Sequence, residues 1–149
     1  MKKNRLFIIA FILVIITAVA AVAHLTKREE VAKGQLKVSI HGEEQTIHLN
    51  ELTYEKLNGI RVNGKGEEIP VEGDGIQMKD LLETFHVDTF EKVQILADDS
   101  YVAQVNEEEV GEDNKVCLFL QEEGGIRLVV FGDENSKRSV SDVVQIIVE

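Results

Sequence analysis

The sequence predicts an α+β domain dominated by β-sheet, with two short helices, behind one N-terminal transmembrane helix. Three observations carry that expectation. Leu6–Leu25 is apolar except for Thr17 and His24, and it follows a basic start, Met1-Lys-Lys-Asn-Arg5. Further on, short apolar runs of period two recur between Gly, Asn and Asp turn signals, the mark of half-buried strands. Only one segment keeps a clear helical period: Met78, Leu81, Leu82 and Phe85 stand at i, i+3, i+4 and i+7.

A helix over residues 6–25 rises about 30 Å, roughly one bilayer core. A short basic start ahead of the first apolar segment stays in the cytoplasm as a rule. The expected organisation is a basic cytoplasmic tail (1–5), an anchor or signal peptide (6–25), a linker (26–35) and an extracytoplasmic α+β domain (36–149). Ala18-Val19-Ala20 and Ala21-Val22-Ala23 offer the small-residue pattern of a cleavage site, so secretion after cleavage is the alternative. The apolar run is longer than a signal core, which favours a single-pass membrane anchor. No cysteine directly follows the run, so a lipoprotein anchor lacks its acceptor thiol.

All 27 acidic residues but only 13 of the 16 basic ones lie after the apolar stretch, leaving that part at −14 against −11 for the chain. Such a charge disfavours nucleic acid and anionic lipid headgroups, both polyanions. Contact with the membrane is expected through the N-terminal helix alone, and the remaining partner is a protein or a small molecule. Cys117 is the one cysteine, so no intramolecular disulfide can form. Within Val116-Cys-Leu-Phe-Leu120 it reads as an inert core thiol.

Element by element, Leu36–Ile40 and Thr46–Leu49 read as a hairpin broken at His41-Gly-Glu-Glu44. Asn50 then reads as the cap of a helix, Glu51–Leu57, stopped by Asn58-Gly59. Glu67–Val71 reads as a short edge strand that tolerates Pro70. The helix through Met78–Phe85 follows. Lys92–Leu96 and Tyr101–Val105 form a second hairpin around Ala97-Asp-Asp-Ser100. Asn106–Asn114 reads as an acidic loop, Lys115–Leu120 and Ile126–Phe131 as a third hairpin, and Val143–Val148 as the last strand.

Several of these pieces, in this order, resemble a known family. Gly75-Ile-Gln-Met-Lys-Asp-Leu-Leu-Glu83 looks like the G-v-p-L-x-x-L-L helix of the molybdopterin-binding domain of sulfite oxidase-like oxidoreductases. Asp99-Ser-Tyr101 stands where that family has a D-G-Y turn, and Gly124-Gly-Ile-Arg-Leu-Val-Val-Phe-Gly132 is similar to its G-x-P-L-R-L-V-V-P-G segment. Val143-Val-Gln-Ile-Ile-Val148 echoes its final strand. The resemblance runs over residues 36–149 and implies a sulfite oxidase-like fold. It also implies molybdopterin, held through a cysteine thiolate upstream of the G-v-p-L helix. Asn58–Asp74 contains no cysteine, and Cys117 lies too far downstream to be carried over. Ile126 replaces the proline before the Arg-Leu-Val-Val run. The basic residues for a pterin phosphate are not evident either, with only Arg61 and Lys65 among Glu67, Glu68, Glu72 and Asp74. The expectation is therefore a fold kept without the enzyme, with no cofactor.

The candidate interaction site is Asp98, Asp99 and Tyr101, an acidic pair beside an aromatic ring at a hairpin turn. Bunched carboxylates suit Ca²⁺, yet the spacing lacks the D-x-D-x-D-G form and Asp is an ordinary turn residue. Glu107-Glu-Glu109 with Glu112-Asp113 reads as a solvated run. His24, His41, His48 and His86 are unpaired at i, i+4 and joined by no cysteine, which disfavours zinc. Gly64–Gly75 lacks the context and lysine of a phosphate loop. The leading reading is a membrane-tethered extracytoplasmic module that binds a ligand or protein without catalysis. The rivals are a molybdopterin-dependent oxidoreductase subunit and a cation-dependent envelope protein.

Overall fold

Alternating apolar residues build the first sheet. Leu36 and Val38 are fully buried in strand β1 (Gln35–Ile40), which turns through His41-Gly42, both at positive φ, into β2 (Glu43–His48). Positive φ at both central positions matches the twist of a tight antiparallel hairpin. The computed structural model describes residues 14–16 and 31–149, and Val31–Glu149 forms one compact unit. Val14–Ile16 is helical. The rest of the expected span at 6–25 lies outside the described residues, among which no helix is long and apolar enough to cross a membrane.

Among the described residues, nine strands make two sheets. The five-stranded sheet has the order β2-β1-β9-β5-β6, with β5 (Lys92–Ala97), β6 (Val102–Asn106) and β9 (Val143–Val148). Its β1–β9 pair is parallel and the other pairs are antiparallel. The four-stranded antiparallel sheet has the order β3-β4-β7-β8, with β3 (Glu55–Val62), β4 (Glu68–Gln77), β7 (Val116–Leu120) and β8 (Ile126–Val130). Helix α1 (Met78–Thr84) continues directly from β4 and buries Met78, Leu81 and Leu82. These three join Val38, Ile95 and Ile146 of one sheet and Leu118, Ile126 and Leu128 of the other in a single core.

A second, smaller core lies on the opposite face of β7 and β8, from Leu57, Cys117, Phe119, Val129 and Phe131, with Val71 against it. Phe119 and Phe131 meet edge to face, centroids 6.0 Å apart. Both strands are thus buried on two faces, which explains their unbroken apolar runs. Pairing of β4 with β7 covers only Gly75–Gln77. Past Gly75, the β3–β4 hairpin runs close against Phe131: a Cβ on Gly59 would stand 2.6 Å from its ring.

Two expectations are corrected here. The helix expected over Glu51–Leu57 does not form: a 3-10 turn, Leu49–Glu51, leads through residues 52–54 into β3 at Glu55. Tyr54 donates its hydroxyl to the Leu49 carbonyl at 2.5 Å, and Leu57 must reach the smaller core, which an extended chain allows. Asn58-Gly59 is accordingly mid-strand. The acidic loop expected over Asn106–Asn114 contains helix α2 (Glu107–Gly111). Asn106 Oδ1 accepts from Glu109 N at 2.9 Å, and Asn106 N donates to Glu109 Oε2 at 3.1 Å, a reciprocal cap that closes the first turn. The sheet-dominated α+β class stands, with two short α-helices and one 3-10 turn within Val31–Glu149.

Candidate functional site

The turn between β5 and β6 holds the acidic pair singled out from the sequence. Asp99 Oδ1 accepts from the Tyr101 amide at 2.9 Å, and the Ser100 amide donates to the Ala97 carbonyl at 3.1 Å. Ser100 takes φ +73, so this is an Asx-stabilised tight turn. The Tyr101 hydroxyl donates to the Lys137 carbonyl at 2.7 Å, pinning the segment after β8. Asp99 and Tyr101 therefore spend their polar groups on backbone. The Asp98 amide donates to the Asp142 carbonyl at 3.0 Å. That last bond leads to a neighbouring cleft that the sequence reading missed.

The cleft holds about 440 Å³ and is lined by Val71, Glu72, Gly73, Phe119–Glu123, Arg127 and Asp142. Small-molecule sites span roughly 300–1,000 Å³. Three pieces of chain place Arg127. On β8 it lies directly across from Phe119 of β7. On the other side, Leu128 exchanges backbone hydrogen bonds of 2.8 and 3.0 Å with Val140, which sets Ser139 beside Arg127. The floor is tied by Gln121, whose side-chain oxygen accepts from the Asp142 amide at 3.1 Å.

Arg127 is poorly satisfied for a half-buried cation. One Nη contacts Ser139 Oγ at 3.4 Å, and the buried Nε has no partner, alone among the buried side-chain polar atoms of the described residues. Burial is the first cause that pulls its pKa below the ordinary arginine value; the charge of Arg61 adds to it and Asp142 opposes it. Lys37, Lys79, Lys92, Lys115 and Arg138 are similarly half-buried, and each carries an ion pair with a carboxylate. Arg61 and Arg127 are the half-buried cations that carry none among the described residues. In a domain with twice as many acids as bases, that exception is informative. A half-buried guanidinium with no carboxylate at ion-pair distance, drawn only by the charge of Asp142, keeps donors open to an incoming anion.

No protein-family model and no curated protein matches this chain. The site is therefore read from its own chemistry.

The other acidic features are used internally. Glu109 and Asp133 pair with Arg138, Asp113 with Lys79 and Glu112 with Lys115, so the run expected to be merely solvated clamps α2 to its surroundings. No group of three or more His, Cys, Asp or Glu side chains among the described residues is placed to hold a metal ion. Cys117 is fully buried in the smaller core, and burial pushes its thiol up to about 12, with Glu55 and Asp80 adding to the shift. A thiol so enclosed does not fit the role of a molybdenum thiolate. At pH 8 it is almost wholly protonated, whereas about a quarter of a free cysteine is thiolate. Iodoacetamide at that pH is expected to leave Cys117 unmodified in the folded chain and to label it on unfolding. Mass spectrometry reads the difference, and rapid labelling of folded protein would refute the enclosure.

A second cleft of about 280 Å³ lies between the 3-10 turn, the start of β3 and α1, lined among others by Glu51, Tyr54, Glu55 and Asp80. It gathers acids without an unpaired cation. The Asp80 carboxyl is held above its ordinary range, first by burial and then, against the opposing charge of Lys79, by Glu55, Glu83 and Asp113. A carboxyl raised by folding contributes most when protonated, below its unfolded pKa, and that contribution is lost as pH rises through the folded value. Asp80→Asn is therefore expected to raise the melting temperature at pH 7 by about 2 °C, the scale of a ~0.5 kcal/mol change. The gain should vanish at pH 3. An equal gain at both pH values would show that ionisation is not the cause.

Proposed function

We propose that this chain is a membrane-tethered, extracytoplasmic and non-catalytic binding module on a sulfite oxidase-like fold, which takes an anionic group of a small ligand at Arg127. The apolar, basic-flanked N-terminal segment supports the address. The single observation that carries the binding reading is the Arg127 cleft, lined by a half-buried guanidinium whose buried Nε has no hydrogen-bond partner and which forms no ion pair. Binding sites hold polar groups ready for a ligand that water satisfies less well, whereas structural arginines are paired within the fold, as Arg138 is. Among the described residues beside Arg127, Cys117 is enclosed and Ser139 Oγ faces a cation and not a general base, which supports binding without a nucleophile.

The test is a ¹H–¹⁵N NMR titration of the full chain in detergent micelles with acetate, inorganic phosphate and triglycine. Amide shifts confined to Gly73, Phe119, Gly125 and Asp142, and lost in Arg127→Gln, support the reading. No response to any probe at about 20 mM, an affinity weaker than ~2.3 kcal/mol, overturns it.

A further inference from the structure

The walls of the cleft say more about the ligand than its floor does. Glu72, Glu122, Glu123 and Asp142 all line it, and none of their carboxylates forms an ion pair or hydrogen bond among the described residues. Glu122 and Glu123 stand exposed in the β7–β8 hairpin, whose turn is fixed by bonds from Gln121 N to Gly125 O at 2.8 Å and from Gly124 N to Gln121 O at 2.9 Å. Cationic and anionic groups thus sit at different depths. Arg127, half-buried beside the Phe119 ring, lies inward, while the glutamates form the rim.

Charge on this pattern selects against simple anions. Phosphate or sulfate reaching Arg127 must pass the carboxylates of a strongly acidic domain, and like charges repel over the Debye length of about 10 Å at 0.1 M salt. A simple cation meets the rim but finds Arg127 behind it, with the charge of Arg61 acting on the same guanidinium. A molecule with an anionic end and a cationic end satisfies both layers at once.

Resting on the binding reading above, we infer that the cleft takes a small zwitterion, an amino acid or short peptide, with its carboxylate on Arg127 and its ammonium against Glu122 and Glu123. A carboxylate matches the planar fork of a guanidinium with two parallel hydrogen bonds. Phe119 offers an apolar wall to the stem between the two charges.

The experiment compares four probes on the full chain in micelles by the same NMR titration: triglycine, N-acetyl-triglycine, triglycine amide and inorganic phosphate. Triglycine is expected to bind at least about tenfold more tightly than each of the other three, a difference of ~1.4 kcal/mol. Arg127→Gln should remove that binding. The double variant Glu122→Gln, Glu123→Gln should weaken triglycine while binding N-acetyl-triglycine at least as tightly as the parent does, and its substitutions lie on exposed hairpin positions that do not threaten folding. N-acetyl-triglycine or phosphate binding as tightly as triglycine would overturn the zwitterion while sparing an anion site. Triglycine amide binding as tightly would overturn the role given to Arg127. Silence from all four overturns both readings together.

Discussion

Replacing Arg138 with methionine is expected to destabilise the domain by about 2–3 kcal/mol, lowering its melting temperature by roughly 10 °C. Arg138 lies in the segment between β8 and β9. Its Nε and one Nη bind Asp133 at 2.9 and 2.5 Å, and its other Nη binds Glu109 of α2 at 2.7 Å and the Gln104 carbonyl of β6 at 3.3 Å. One guanidinium therefore clasps three pieces of chain, holding its own pKa above the ordinary value chiefly through Asp133. The side chains are 27% exposed for Arg138, 16% for Asp133 and 19% for Glu109. Removing the cation strands two carboxylates that water reaches poorly. Full burial would cost about 3–5 kcal/mol, and partial screening reduces that. Arg138→Lys should recover part of the loss, because an ammonium cannot bind Asp133 bidentately and still reach Glu109. Thermal melts of both variants decide the matter. A methionine variant that melts within about 1 °C of the parent would show the clasp to be energetically idle.

The same clasp bears on the cleft. Arg138 anchors the segment that carries Ser139 and Asp142, and Tyr101 anchors it again through the Lys137 carbonyl. The acidic turn chosen from the sequence thus contributes through its backbone and its tyrosine hydroxyl, by fixing what stands next to Arg127. Its carboxylates do not line the cleft.

Most strands were legible because their burial is periodic or complete. Val143–Val148 is placed to the residue, and β7 and β8 were clear from runs that only two-sided burial explains. Helix α1 was clear from its four-residue apolar face. The misplaced helix over 51–57 has a physical cause: Leu52, Tyr54 and Leu57 follow neither period cleanly, and Asn58-Gly59 imitates a helix stop. Gly59 is instead required where Phe131 leaves no room for a Cβ. The missed helix α2 did carry a signal, Asn106 three residues before Glu109, which was masked by its charge. Topology was not legible, since nothing local tells β9 to insert between β1 and β5. Arg127 was legible in principle. A lone cation inside Ile126-Arg-Leu-Val-Val-Phe131 is a charge that burial disfavours, and such a residue needs either an internal partner or a ligand.

That distinction can be measured without any ligand. Arg127→Leu is expected to stabilise the domain by about 1 kcal/mol, raising the melting temperature by a few degrees, while abolishing the binding proposed for the cleft. Replacing a desolvated ion by an apolar side chain gains up to about 4 kcal/mol when burial is complete, and solvent at the open side of the cleft screens most of that here. The variant loses one long contact to Ser139 and the attraction of the Asp142 carboxylate, but no ion pair. It relieves the repulsion from Arg61, removes an unpartnered buried Nε and sets an apolar group beside Phe119. A structural arginine behaves in the opposite way, as Arg138→Met should show in the same buffer. Proteins keep groups that cost stability where function needs them. Were Arg127→Leu to melt several degrees below the parent, Arg127 would be part of the scaffold, and the cleft would lose its claim to be a site.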